Sequence, residues 1–403
     1  MGIDRGCIGR NRDNDGVVRA DGALAKRHVQ LQAETRAAMT NKAFRWSRAL
    51  HAWGGATLAL LVLLNTATGT LLVWKNEYVR LTVPEARVEF EPTAAALARI
   101  ASAVEAQFDN DEILLIQFGT QQFPLTKITL TDARYAYCDI RGNIVDEWVQ
   151  NERFEEWLYD LHHRLLLENT GLTIVGLMGL ALIILVVAGV ISFWPLRRAF
   201  PRGLWPKSIA RPHLLNAHRN VGIIEALPFL LMLVTGVVLA FPEQAEKLLL
   251  ESVRSSEEYG AGFAEKVDAI SGGNSGDWLP AMRRALATFP GAKIRSAQVP
   301  NTFSPYRIIG LQQSGGLHPQ GLSKVYIDAE GGYMDVRIDD TKLPLVERLY
   351  SASYPLHTGK VDSMSYKLFL TVSGLLVSAL SVLGLVCFIG KVKRQRGAAP
   401  DGI

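Results

Sequence analysis

Four stretches of this chain are apolar and almost free of charge: 50–74, 172–194, 220–241 and 366–390. Each is longer than the run of about 18 residues at which a transmembrane helix becomes the expected structure. A backbone in hydrocarbon must satisfy its own hydrogen bonds, and a helix does so within one segment. The first run begins too far into the chain, and is too long, to be the apolar core of a signal peptide. The 403 residues are 48% hydrophobic, which is high for a soluble protein and low for one buried entirely in lipid. A few spans joined to large polar domains are therefore expected.

Basic residues set the orientation. The connection between the second and third runs holds Arg197, Arg198, Arg202, Lys207, Arg211 and Arg219 and no acid, and the C-terminal end reads KVKRQR. Arg36, Lys42, Arg45 and Arg48 precede the first run. These three regions are expected on the cytoplasmic side. The first long connection carries 16 acids against 7 bases from Glu77 to Asp160 and is expected outside. The resulting division is a disordered tail (1–40), a first span (41–75), an outer module (76–165), a second span (166–195), a basic loop (196–217), a third span (218–241), a second outer module (242–360), a fourth span (361–391) and a basic tail (392–403). Cys7, Cys138 and Cys387 form no plausible disulfide framework.

The chain repeats itself. With His51 placed on His218, Gly55 falls on Gly222, Thr68 on Thr235 and Gly69 on Gly236 without a gap. YCDIRGNIVD (137–146) matches YIDAEGGYMD (326–335), and with His162 on His357, Gly179 falls on Gly374 and Gly189 on Gly384. Each half reads as helix, outer domain, helix, crossing in the same sense: a tandem parallel repeat. In each outer domain a helix (92–108; 277–289) precedes short strands near 112–118, 124–131, 135–140 and 144–149, and near 293–299, 304–312, 323–329 and 333–338. Turns are expected at RGN (141–143) and EGG (330–332), and 261–276 ends in a flexible loop. The expected fold is a four-span helical bundle bearing two α+β modules.

His51 and His218 begin the first and third spans; His162, His163 and His357 precede the second and fourth. A lone histidine at a membrane end is usually interfacial. Four at repeat-equivalent positions place His51 opposite His218 at one face and His162 opposite His357 at the other. Two facing imidazoles in a helical bundle suit the axial ligation of a b-type haem, which carries electrons and leaves no site for oxygen. Two non-covalent haems are expected, since no CxxCH motif is present. Gly55, Gly69, Gly222 and Gly236 leave room for a flat macrocycle or for close helix contact, and Arg48 and Arg219 are candidate partners for haem propionates. Glu225, seven residues after His218, is a candidate proton or quinol site, or a carboxylate that reaches water at the interface. His162 stands ten residues before the apolar run, which places an outer haem ~15 Å above it unless the helix breaks near ENTG (168–171).

ALHAWGG, LHHRLLL with GLTIVGLMGL, FWP, NAHRNVG and PLHTG together resemble the PepSY-associated transmembrane family over about 42–394. The resemblance implies a multi-pass protein of the bacterial inner membrane, with both termini cytoplasmic and two periplasmic PepSY modules. Some members resemble haem-containing reductases that release iron from ferric siderophores. The family pattern puts its second-helix histidine directly after leucine, which selects His162 and keeps His163 as the alternative. The expected partners are lipid, a ferric siderophore and an electron donor, either a quinol or a cytoplasmic reductase; no nucleic acid is expected. The alternative is a non-catalytic PepSY membrane protein with a binding or regulatory role.

Overall fold

The computed structural model describes residues 13–199, 204–254, 264–266, 277–302, 304, 306–328 and 334–397. Helix α1 (Asp13–Leu72) contains the first span, Lys42–Leu72. Its first part, 13–40, is helical where the sequence reading expected disorder. Six alanines between 20 and 38, with no proline before Leu72, favour helix over coil there. The stretch 1–12 lies outside the described residues.

After α1 come α2 (Lys75–Thr82), α3 (Ala94–Glu105), β1 (Ile113–Gln117), β2 (Thr126–Leu130), β3 (Arg134–Cys138), β4 (Ile144–Val149) and α4 (Phe154–Arg164). The second span lies on α5 (Glu168–Phe193) and the third on α6 (Arg211–Ala240). Then follow α7 (Pro242–Arg254), β5 (Ala264–Lys266), α8 (Trp278–Thr288), β6 (Lys293–Gln298), β7 (Tyr306–Gln312), β8 (Ser323–Asp328), β9 (Met334–Ile338), α9 (Leu345–Thr358) and α10 (Met364–Gly397), which holds the fourth span. Thr93 caps α3 by accepting from Ala96 N at 3.2 Å. The RGN turn forms as expected: Asp139 accepts from the backbone of Arg141 and Asn143, and Gly142 takes φ +92. The EGG turn and 267–276 lie outside the described residues.

The strands do not form two separate sheets. Among the described residues they form one antiparallel sheet of nine, in the order β4-β3-β2-β1-β6-β7-β8-β9-β5. The junction pairs Ile116 with Ala297 and Gln117 with Ser296. Without it, β1 and β6 would each present an open row of backbone donors and acceptors. The helices join as well: Leu97 and Ile100 of α3 share one buried core with Trp278 and Met282 of α8 and with Ile116, Ile128, Ile309 and Ile327 of the sheet. The two expected modules are thus fused into one α+β layer.

Beside this layer the four spans form a ring in which α1 and α6 each touch both α5 and α10. Val62, Met178, Leu182, Leu185, Leu233 and Val377 fill its centre. Leu60, Ile184, Leu227 and Leu375 point outward and are exposed, as lipid-facing side chains would be. Gly176 packs against Phe241 and Gly374 against Thr70, so small residues let the ring close tightly.

A helix break lies before the second span. Leu165 and Leu166 adopt φ +52 and +58, ending α4 and turning the chain into α5. Gly171, the glycine of ENTG, is the position that permits the turn, because a Cβ there would collide with the Arg164 carbonyl. Gly359 (φ +70) ends α9 before α10. His162 and His357 therefore sit on short helices of their own, folded back against the bundle, and not on upward extensions of the spans.

Candidate functional site

The structure brings the four histidines together in the expected two pairs. The rings of His51 and His218 have centroids 6.0 Å apart and planes inclined at 62°. Those of His162 and His357 are 6.2 Å apart and inclined at 43°. His163 belongs to neither pair; it stacks on Tyr159 at 5.2 Å.

Each imidazole is seated in the same way. His51 Nδ1 lies 2.9 Å from the carbonyl of Leu185 on α5, and His218 Nδ1 lies 3.1 Å from that of Leu380 on α10. His162 Nδ1 is 2.9 Å from the Asn65 carbonyl on α1, and His357 Nδ1 is 3.1 Å from the Met232 carbonyl on α6. A carbonyl only accepts, so Nδ1 carries the proton in all four. The neutral ring then keeps its lone pair on Nε2. Among the described residues, no protein group hydrogen-bonds to any of these Nε2 atoms.

The glycines explain the seats. Four residues after each accepting carbonyl stands a glycine: Gly189, Gly384, Gly69 and Gly236. A Cβ on them would lie 3.0, 3.1, 2.8 and 2.9 Å from Cε1 of His51, His218, His162 and His357 in turn. In a helix the residue at i+4 donates to the carbonyl at i, so its side chain stands beside that oxygen. Removing the side chain lets an imidazole lie on the helix and share the carbonyl. Gly69 and Gly236 thus seat rings, where the sequence reading gave them to a macrocycle or a helix contact. Gly55 has nothing within 4 Å of a built Cβ, and Gly222 has only Leu380 at 3.9 Å. One turn along from His51 and His218, they border open space.

Hydroxyls complete the second pair. Thr68 Oγ1 lies 3.2 Å from His162 Nδ1 and donates to Leu64 O at 2.8 Å. Thr235 Oγ1 lies 3.1 Å from His357 Nδ1 and donates to Leu231 O at 2.9 Å. Burial, with His357 adjacent, holds the His162 imidazolium pKa down to about 3. Burial holds His357 down to about 4. Both rings are therefore neutral near pH 7.

Above this pair, towards the sheet, lies a polar cluster that the sequence reading missed. Lys75 and Lys127 donate to Glu156 Oε1 at 2.7 and 3.0 Å. Burial would raise the Glu156 carboxyl, but the two lysines outweigh it and hold it at about 2. Burial, reinforced by Lys75, lowers Lys127 to about 8. Lys360 donates to the Tyr354 hydroxyl at 2.7 Å, and His318 lies 5.5 Å from the Tyr354 ring. The readable signal was YDLH (159–162) against YPLH (354–357), a tyrosine one turn before each histidine.

The remaining candidates lie apart. Arg48 is exposed, with its guanidinium 5.7 Å from the Phe44 ring. Arg219 donates to Asn220 Oδ1 at 3.1 Å. Glu225 is buried on α6 and accepts from Ser373 Oγ at 2.6 Å. Among the described residues, no three His, Cys, Asp or Glu side chains cluster as a bare metal ion would require.

The family model for the PepSY-associated TM region matches residues 48–391. No curated protein matches the chain. The chain belongs to the PepSY-associated TM-region family.

Proposed function

We propose that this member of the PepSY-associated TM-region family is a di-haem b electron carrier of the bacterial inner membrane that reduces an acceptor outside it, such as a ferric siderophore. The observation that carries the reading is the common seat of four histidines arranged as two facing pairs. Two imidazole nitrogens bound to one metal ion at ~2 Å each would hold their ring centroids roughly 6 Å apart. The observed separations are 6.0 and 6.2 Å. The donor set fits too: a porphyrin-held iron needs two neutral imidazoles, each oriented by a hydrogen bond from its far nitrogen.

When bound, the haems would supply reversible one-electron chemistry. The chain's own residues do the rest. His51 and His218 hold the inner group and His162 and His357 the outer one, with each ring fixed by its carbonyl and glycine. Arg48 and Arg219 stand on the inner side as candidate partners for propionates. Asn65 and Gly69, which seat His162, lie 14 and 18 residues beyond His51 on the same helix. At 1.5 Å per residue the two levels are about 21–27 Å apart, less than the ~30 Å hydrocarbon thickness. The break at Leu165–Leu166 brings the outer pair down to the bundle.

Both termini lie on the cytoplasmic side in this reading, supported by the basic inner loops. The tandem repeat is supported by the matching seats: Gly69 and Gly236 do the same work, as do Gly189 and Gly384. The electron donor, a quinol or a separate cytoplasmic reductase, is outside the chain. The test is the reduced-minus-oxidised absorbance spectrum of the purified protein with a haem assay. A b-type spectrum with two haems per chain is expected; a colourless, correctly folded protein overturns the proposal in favour of a binding or regulatory role.

A further inference from the structure

Glu225 is the only Asp, Glu, Lys or Arg in the stretches 52–74, 169–196, 220–240 and 368–390. It is 5% exposed. Its hydrogen-bond partner is Ser373 Oγ of α10, at 2.6 Å from Oε2. It stands seven residues after His218 and seven before Met232, whose carbonyl seats His357. At 1.5 Å per residue that is ~10 Å along the helix from each level. The carboxyl therefore lies between the two histidine pairs and belongs to neither.

From this placement we infer that Glu225 is a redox-linked proton site: it takes up one proton when an electron arrives on the haems it stands between. The inference rests on the electron-carrier reading above. A carboxylate in hydrocarbon is costly without a positive partner. Among the described residues no lysine or arginine forms an ion pair with it. The nearest basic residue along α6, Arg219, is six residues away and bonded to Asn220. From α10 the group met is the Ser373 hydroxyl, and the stretches 52–72 of α1 and 169–193 of α5 carry no ionisable Asp, Glu, Lys, Arg or His. In the electron-carrier reading, haem iron would supply the positive charge. A ferric haem core carries one net positive charge and a ferrous core carries none.

The step balances simply. A one-electron reductant delivers an electron, and Fe(III) becomes Fe(II). A hydronium ion gives its proton to a carboxylate oxygen of Glu225: one hydronium O–H bond breaks, one carboxyl O–H bond forms and water is left. The Ser373 hydroxyl bonds to either form: it donates to the carboxylate, and it still donates to the acid's carbonyl oxygen. Coupling is reciprocal. The carboxylate favours ferric haem and the acid favours ferrous haem, so proton uptake linked to reduction makes midpoint potentials fall as pH rises.

The experiment is redox-difference infrared spectroscopy on the haem-loaded protein, with potentiometric titration of the haem spectrum at several pH values. On reduction the wild type should gain a protonated carboxyl C=O band that moves in heavy water. Glu225→Gln should lose the band and most of the pH dependence of the potentials while keeping both haems. Ser373→Ala should shift the band, because the hydrogen bond to the carboxyl is gone. A two-haem wild type without such a band, a band that persists in Glu225→Gln, or a band unmoved in Ser373→Ala overturns the inference. A wild type without b-type haem overturns the electron-carrier reading itself, and the two failures are told apart by the visible spectrum.

Discussion

Gly189 lies directly beneath the His51 ring: a Cβ built on it would stand 3.0 Å from His51 Cε1. The same contact recurs at Gly384 with His218, at 3.1 Å. Gly189→Ala should push the ring off the Leu185 carbonyl, at a cost of about 1–3 kcal/mol for overpacking. In the di-haem reading proposed above, the expected signature is a shift of the inner haem from a low-spin to a high-spin spectrum, with the outer haem unchanged. An unaltered spectrum would show that the ring is not fixed from below.

The pairs should fail independently. In the di-haem reading, His51→Ala or His218→Ala should lower haem content from about two per chain to about one and stop electron entry from the inner side. His162→Ala or His357→Ala should spare the inner haem and abolish reduction of an external acceptor. His163→Ala should leave both haems, because its ring stacks on Tyr159 and not on His357. Haem counting with acceptor reduction in membrane vesicles checks all five variants.

Glu156 links Lys75 to Lys127, and its carboxyl is held at about 2 against an ordinary 4.5. A carboxyl depressed on folding contributes stability above its unfolded value and loses it as pH falls through the folded one. The sheet layer should therefore lose stability between pH 4.5 and about 2. Glu156→Gln should flatten that dependence. It should also destabilise the layer at pH 7 by about 3–5 kcal/mol, because two half-buried ammonium groups are left without their partner. Thermal melts followed by tryptophan fluorescence across this range provide the measurement.

Ala297 is buried and pairs with Ile116 at the junction of the sheet. Ala297→Pro removes an amide donor and should break the junction. One cooperative transition of the sheet layer should then become two, by calorimetry or hydrogen exchange. A single transition would mean that the shared core of α3 and α8 suffices to hold the layer together.

Much of this molecule was legible because the relevant patterns are local or repeated. Uncharged length marked the four spans, alternation marked the strands, and superposing His51 on His218 paired the histidines. The seats were not legible. Leu185, Leu380, Asn65 and Met232 act through backbone carbonyls, which leave no mark on residue type. The glycines four residues later were visible, but glycine in a membrane helix has several uses, and only coordinates separate them. Sheet fusion was hidden for another reason: β1 and β6 are about 180 residues apart, and an edge strand's sequence does not specify its partner. The height of His162 stayed open in the sequence, depending on a helix break near ENTG (168–171); the break comes at Leu165 and Leu166, which take left-handed conformations that leucine does not announce.

The seats have a further consequence for how the protein is made. His51 rests on α5 and His162 on α1, while His218 rests on α10 and His357 on α6. Every imidazole is braced by its own half of the chain, yet each faces an imidazole from the other half. As the chain emerges from the ribosome, the first half can present two finished but single-sided sockets. Neither closes until the second half arrives. A disc captured between them would act as mortar between two prefabricated walls, so supply of that disc would govern when the halves lock together and how long the finished protein survives.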